Sequence, residues 1–97
     1  MIKYIQDDFP RTKKRPKRKE IWLAYYPYYG KTNMEKLRPV LIHKVKDDEA
    51  LVQMITSKKS SRTIKEIKLK GSKKPSYLRN SYATIKLYKC YRKIDKI

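Results

Sequence analysis

The chain has 97 residues, which is enough for one compact domain, and 39% of them are hydrophobic, which excludes a wholly disordered chain. Its single cysteine excludes an internal disulfide and a cysteine-based zinc site, and since no apolar run is long enough for a membrane span or a signal peptide, we expect a cytoplasmic protein. The formal net charge of +18 indicates a polyanionic partner, and nucleic acid is favoured over a membrane surface because no basic amphipathic helix is evident.

The charge is unevenly distributed along the chain. Residues 1–19 contain eight basic and two acidic residues, and their basic run includes Pro16, which predicts a flexible, disordered basic arm; a solubilising tail is the alternative. The predicted domain covers residues 20–97. Within it, residues 20–57 have five basic and five acidic residues, whereas residues 58–97 have fourteen basic and two acidic ones. The excess charge therefore lies on the arm and on the C-terminal part.

Runs of β-branched and aromatic residues predict three strands in the first part of the domain. They cover residues 21–26, 39–45 and 50–56. Trp22 is expected in the core, and Pro39 is expected at the first position of its strand, where a missing N–H is tolerated. Residues 28–36 are predicted to form a loop, and the acidic turn Asp47–Glu49 predicts that the second and third strands form a hairpin.

Shorter, lysine-rich strands are predicted in the second part of the domain. They cover residues 63–69 at a sheet edge, then residues 76–79, 82–91 and 92–97. Cys90 is expected to pack as a small hydrophobic residue. No segment has a sustained helical period, so about six short strands joined by turns predict a mainly β fold, either a small antiparallel barrel or a curled sheet.

The chain offers few of the side chains that enzymes use for acid–base or metal chemistry. Its one histidine, His43, cannot supply a pair of imidazoles and is expected to be structural or solvent-facing. The carboxylates lie mostly in turns without metal-ligand spacing, so no metal or other cofactor is expected. The remaining Arg, Lys, Thr, Ser and Tyr side chains suit attack by an RNA 2′-OH on its own neighbouring phosphate, because the substrate then supplies the nucleophile.

Three segments follow one another in a distinctive order, with the sequences EIWL at Glu20–Leu23, RPVLI at Arg38–Ile42 and MITS at Met54–Ser57. Together with SYLR at Ser76–Arg79 and Lys93–Ile94, they make residues 19–97 resemble the MazF/PemK family of toxin endoribonucleases. The resemblance implies a small SH3-like antiparallel barrel of the MazF/PemK/CcdB type that forms a homodimer. It also implies an mRNA interferase of a type II toxin–antitoxin system, which cleaves single-stranded RNA without metal and is inhibited by an acidic antitoxin protein.

The resemblance also assigns roles to individual residues. Arg38 and Thr56 match the family's catalytic pair: Arg38 would neutralise the transition-state charge and take part in proton transfer, and Thr56 would hydrogen-bond the scissile phosphate or its nucleophile. Arg79 matches a second phosphate contact. Loop residues are further expected RNA contacts, the tyrosines by stacking on bases: Ser57, Lys58, Lys59, Tyr28, Tyr29 and Lys31.

The sequence departs from the family pattern at three points, one of which is that it stops at Ile97, where longer relatives continue into a C-terminal helix that supports the dimer. The loop after Tyr26 lacks the Gly-x-Glu-Gln stretch common in longer relatives, and Ser81 occupies the position where some relatives have an aspartate. The alternative function is a non-catalytic SH3-like module that binds RNA or DNA. The basic arm favours this alternative, whereas the pairing of Arg38 with Thr56 favours the enzyme.

Overall fold

The computed structural model describes residues 15–27 and 35–97, which form six β-strands and one short 3₁₀ helix. The strands are β1 (Glu20–Pro27), β2 (Glu35–Lys46), β3 (Glu49–Thr56), β4 (Thr63–Ile67), β5 (Ser76–Lys86) and β6 (Cys90–Lys96), and the 3₁₀ helix is Leu87–Lys89. The prediction of a mainly β fold is confirmed. In this part of the chain no helix is long and apolar enough to cross a membrane.

All six strands belong to one antiparallel sheet in the order β4-β5-β3-β2-β1-β6. The predicted hairpin is confirmed: β2 and β3 pair from Val40 with Met54 to Lys46 with Glu49. The predicted edge strand is also confirmed, since β4 lies at one edge of the sheet. The other edge is β6.

The central strands are buried on both faces of the sheet, so the molecule has two cores. In β1, Ile21 and Trp22 are both fully buried, and as neighbours in a strand they point to opposite faces. The first core consists of Trp22, Ala24, Tyr26, Val40, Ile42, Ala50, Val52, Ile85 and Cys90. The second core consists of Ile21, Leu41, Ile55, Ile67 and Leu78. The predictions that Trp22 and Cys90 are packed inside are confirmed.

The sheet curls so that segments at its two edges meet. The backbone amide of Lys70, which follows β4, donates to Asp95 Oδ2 of β6 at 2.7 Å, and Ile94 of β6 packs against the second core beside Ile67 of β4. Hydrogen bonds from the amides of Lys70 and Lys96 lower the pKa of the Asp95 carboxyl. Among the described residues, the backbone ladder joins β4 only to β5 and β6 only to β1, so it does not close into a barrel.

Several predicted boundaries in the sheet are wrong, including the end of β4, which is at Ile67 and not at residue 69. Strand β2 begins at Glu35, so Pro39 lies inside the strand, opposite Leu23 of β1. The two strands predicted over residues 76–79 and 82–91 are one strand, β5, which ends at Lys86 because the 3₁₀ helix follows. Strand β6 then begins at Cys90.

The last residues of the predicted arm lie against the sheet. The amide of Lys19 donates to the carbonyl of Ile42 at 2.8 Å, and the carbonyl of Lys19 accepts from the amide of Ile97 at 2.9 Å. Pro16 is buried. Residues 1–14 of the arm are outside the described residues.

Candidate functional site

Four strands bring polar side chains to one end of the sheet. Strands β1 and β3 end there, and β2 and β5 begin there, as the pairs Tyr26–Lys36 and Thr56–Tyr77 show. We call this the open end of the sheet. It contains the three residues to which the family resemblance assigns phosphate chemistry.

Arg38 and Thr56 lie on the same face of the sheet at the open end. The β2–β3 ladder stops at the pair Val40–Met54, and Arg38 and Thr56 each lie two residues beyond it. Since side chains alternate with a period of two, both residues share the face of Val40 and Met54, which is the face of the first core. The strand register therefore sets both residues of the predicted pair on one face of the sheet, just beyond the end of the β2–β3 ladder.

Proline explains why the ladder stops at this point. Pro39 is the residue directly before the first β2–β3 pair and has no N–H with which to bond a neighbouring strand. It still has Leu23 of β1 opposite it, so β2 remains attached to the sheet on that side. Beyond Pro39, β2 and β3 are not tied by the ladder, and Arg38 and Thr56 lie in the parts of their strands that this ladder does not reach.

Both side chains of this pair are partly exposed and held by local contacts. Arg38 is half-buried with its Nε atom below the surface, and Ala24 lies opposite it in β1. Thr56 is half-buried, and its Oγ1 accepts a hydrogen bond from the amide of Lys58 at 3.3 Å. The pair thus has one fixed hydroxyl oxygen and one guanidinium, the combination that binds a phosphate group.

A bulge in β5 brings Arg79 to the same face. Between the pairs Gln53–Tyr82 and Ile55–Leu78, only Met54 of β3 lies opposite the three β5 residues 79–81. The Arg79 guanidinium contacts Met54 Sδ, with 3.8 Å between Nη1 and the sulfur. Arg79 therefore lies beside Met54, on the same face as Arg38 and Thr56.

The bulge also creates a contact that the sequence did not predict. The Tyr26 hydroxyl and Ser81 Oγ lie 3.4 Å apart, although 55 residues separate them in the chain. The Tyr26 ring is fully buried in the first core, so its hydroxyl is fixed at the open end. Ser81 thus has a tyrosine hydroxyl as its neighbour.

The remaining predicted RNA contacts divide into two groups. Ser57, Lys58 and Lys59 are exposed in the loop that follows Thr56. The other predicted contacts, Tyr28, Tyr29 and Lys31, lie outside the described residues. The loop itself is ordered by hydrogen bonds between its last part and β4: Thr63 Oγ1 donates to the carbonyl of Ser60 at 2.7 Å, and the Thr63 amide donates to the same carbonyl at 3.1 Å.

The surroundings of the open end are strongly basic. From residue 57 to residue 79 the chain has nine basic residues and one acidic residue, Glu66. All of this segment is in β4, in the beginning of β5 or in the loops next to them. Among residues 15–27 and 35–97, no group of three or more His, Cys, Asp or Glu side chains is arranged to hold a metal ion. The site's charge is therefore cationic and comes from Arg and Lys.

No protein-family model matches the chain, and no curated protein matches its sequence. The likeness to the MazF/PemK family consequently depends on the motifs given above, and membership of that family is a proposal.

Proposed function

We propose that the protein is a metal-independent endoribonuclease that cleaves single-stranded RNA, an mRNA interferase of a type II toxin–antitoxin system with the SH3-like barrel of the MazF/PemK family. The observation that carries the proposal is the common face of Arg38 and Thr56 beyond the end of the β2–β3 ladder. The two residues lie 18 positions apart in the chain, and both are half-buried on this face.

The reaction would be a transesterification within the RNA. The 2′-oxygen forms a bond to the adjacent phosphorus while the bond from phosphorus to the 5′-oxygen breaks; the 2′-OH loses a proton and the 5′-oxygen gains one. Negative charge grows on the non-bridging phosphate oxygens, where the Arg38 guanidinium can donate two parallel hydrogen bonds. Thr56 Oγ1 would fix the phosphate or the 2′-OH, and Arg79 would hold a neighbouring phosphate.

The basic segment from residue 57 to residue 79 supports RNA as the substrate. Its nine cations include Lys58 and Lys59 in the loop that follows Thr56, and cations that bind phosphates release condensed counterions. The same cations would attract an acidic antitoxin segment, which would cover Arg38 and Thr56 and prevent RNA from binding there. A cytoplasmic homodimer is part of the proposal through the family resemblance.

The proposed activity is tested with purified protein, a long single-stranded RNA and EDTA. We expect discrete cleavage that falls about 100-fold or more in Arg38→Ala, because one charge-stabilising donor is typically worth that much. Arg38→Lys should recover only part of the rate, since an ammonium cannot make the bidentate contact. Arg92→Ala, an arginine change on β6 outside the site, is the matched control and should cleave like the wild type.

Two results would contradict the assignment. If Arg38→Ala cleaved RNA at the wild-type rate, Arg38 would have no role in the reaction. RNA that stays intact with the wild type but is retarded in a gel would instead support the second candidate, a non-catalytic module that binds RNA or DNA. The density of cations between residues 57 and 79 favours that candidate independently of the Arg38–Thr56 pair.

A further inference from the structure

A second bulge, in β2, changes which way the side chains after it point. The β2–β3 ladder passes from Ile42–Val52 directly to Lys44–Leu51, so His43 is an extra residue. Lys44 consequently shares the face of its partner Leu51, which is exposed. His43 points to this same face, since its ring contacts Tyr82 and Gln53 there. The bulge thus sets an imidazole and an ammonium side by side on the face opposite Arg38.

An exposed aromatic ring lies against this imidazole. Tyr82 is 48% exposed, and the centroid of its ring is 5.5 Å from that of His43, with 57° between the ring planes. His43 Nε2 is 2.8 Å from Oε1 of buried Gln53, whose Nε2 donates to the carbonyl of Arg79 at 3.0 Å. Because the Gln53 amide nitrogen donates to Arg79, its oxygen accepts, so His43 Nε2 carries the hydrogen. The imidazole is therefore fixed, and it supports the Tyr82 ring from one side.

A basic groove adjoins His43. It has a volume of about 480 Å³, and its lining includes four cations, Arg15, Lys17, Arg18 and Lys44, besides His43 itself. No carboxylate is among the described residues that line it.

The segment that forms one side of this groove is anchored at several atoms. Pro16 is buried, the Lys17 amide donates to Glu20 Oε1 at 2.8 Å, and the Arg15 guanidinium donates to the carbonyl of Asp47. The cations of residues 15–18 are thus held beside the aromatic pair rather than drawn into the core.

We propose that the Tyr82–His43 pair and this groove form a binding surface for single-stranded RNA, with a base stacked on Tyr82 and phosphates in the groove. The proposal rests on the proposed function only in taking single-stranded RNA as the ligand, and it does not require cleavage. Lys44 lies six residues from Arg38 along β2, roughly 20 Å at 3.3 Å per residue, and on the other face. The surface therefore holds RNA outside the segment that Arg38 contacts.

The chemistry of the surface favours a nucleic acid over an acidic peptide. A peptide carboxylate would use the four cations but has no flat group to cover the exposed face of Tyr82. An unpaired base has such a face, and stacking on an aromatic ring tolerates every base. The combination of one supported ring and a cationic groove is the arrangement expected for sequence-tolerant binding of a single strand.

The test uses full-length protein and a fluorescent 12-nucleotide single strand with 2′-O-methyl groups, which cannot be cleaved by 2′-OH attack. Tyr82→Ala should raise the Kd about tenfold, equivalent to about 1.4 kcal/mol and within the range for one stacked base. Tyr82→Phe keeps the ring and should stay within about twofold of the wild type. Tyr88→Ala removes a tyrosine that is 68% exposed on the 3₁₀ helix and should also stay within about twofold.

Lys44→Ala is a second variant that keeps the test decisive if Tyr82→Ala fails to fold. It should weaken binding and lower the magnitude of the slope of log K against log salt by about 0.7. Equal Kd values for Tyr82→Ala and Tyr88→Ala, or an unchanged salt slope for Lys44→Ala, would overturn the proposal. Because the probe cannot be cut, its binding is measured independently of cleavage. If the protein does not cleave RNA, the proposed enzymatic activity is wrong and the proposed binding surface is unaffected. If the protein cleaves RNA but Tyr82→Ala binds the probe with the Kd of the wild type, the proposed surface is wrong and the enzymatic activity is unaffected.

Discussion

Glu20 is the residue that joins the N-terminal segment to the sheet. One oxygen of its carboxylate, Oε1, accepts from the Lys17 amide at 2.8 Å and from Trp22 Nε1 at 3.0 Å, and the other, Oε2, lies 3.1 Å from Lys93 Nζ. Burial alone would raise the pKa of this carboxyl, but the hydrogen bonds from Trp22 and Lys17 and the charge of Lys93 outweigh it and hold the pKa below its ordinary value of 4.5. The ionised form is therefore the one that the fold stabilises.

Glu20→Gln should destabilise the protein in a pH-dependent way. A lowered carboxyl pKa contributes stability that is fully present above the unfolded value, 4.5, and is lost as the pH falls through the folded value. We expect Glu20→Gln to lower the free energy of unfolding by about 1 kcal/mol at pH 7, since glutamine keeps the acceptor oxygen but loses the charge. Urea unfolding from pH 7 to pH 3 should show this difference shrinking below pH 4.5; a difference that grew towards acid pH would contradict the role given to Glu20.

Only part of the candidate site could be predicted residue by residue from the sequence. Arg38 and Thr56 were predictable because each belongs to a short linear motif, and simple alternation then sets them on one face. The contact of Tyr26 with Ser81 depends on the β5 bulge, and the contact of Gln53 with His43 involves the β2 bulge. Neither bulge contains a glycine or a proline that would mark it in the sequence.

Among the elements, the β2–β3 hairpin has the most demanding backbone. Two residues, Asp47 and Asp48, join the strands, and Asp47 has φ of 56°, in the left-handed region. A turn whose first residue has positive φ favours glycine, because any Cβ is crowded there. The carbonyl of Asp47 accepts a hydrogen bond from the Arg15 guanidinium, and this contact does not involve the Asp47 side chain.

Asp47→Gly should therefore stabilise the hairpin. We expect the free energy of unfolding to rise by about 0.5 kcal/mol, because glycine adopts the left-handed conformation without strain and the backbone contact with Arg15 is retained. Urea unfolding at pH 7 measures the change. Asp48→Gly is the matched control: its φ is not positive, so glycine should cost about 0.5–1 kcal/mol in added chain entropy. A loss of stability in both variants would show that the turn is not strained at Asp47.

Strand boundaries were predictable where turn residues mark them and wrong where they do not. The β2–β3 turn has three consecutive acidic residues, and both flanking strands were predicted close to their observed ends. In β5, Asn80 and Ser81 were predicted to separate two strands, whereas the strand continues through residues 79–81 as a bulge opposite Met54. Pro39 was expected to begin β2, but it ends only the ladder with β3, because a proline in a strand lacks a donor on one side alone.

On the scale of the whole molecule, the acidic β2–β3 turn and the basic segment from residue 57 to residue 79 adjoin opposite ends of β3. The three acidic residues Asp47–Glu49 form the β2–β3 turn, and Lys86 Nζ lies 3.3 Å from Asp48 Oδ2 and 3.4 Å from Glu49 Oε2. Hydrogen bonds to these two carboxylates raise the pKa of Lys86. The basic segment from residue 57 to residue 79 begins directly after Thr56, which lies seven residues from Glu49 along β3, or roughly 23 Å.

The two ion pairs of Lys86 predict that it contributes less to RNA binding than the exposed Lys58 and Lys59. Replacing Lys58 and Lys59 with alanine removes two exposed cations from the loop that follows Thr56. Each cation that neutralises a phosphate contributes about 0.7 to the magnitude of the salt slope for a single strand. We expect the slope of log K against log salt for the 2′-O-methyl strand to fall in magnitude by about 1.4. Lys86→Ala should leave the slope unchanged, because Asp48 and Glu49 already compensate that charge. Fluorescence anisotropy from 50 to 300 mM salt, a range of about sixfold, measures all three slopes. If Lys86→Ala lowered the slope by as much per lysine as the Lys58 and Lys59 replacements do, RNA binding would depend on the net charge of the molecule and not on these two exposed lysines.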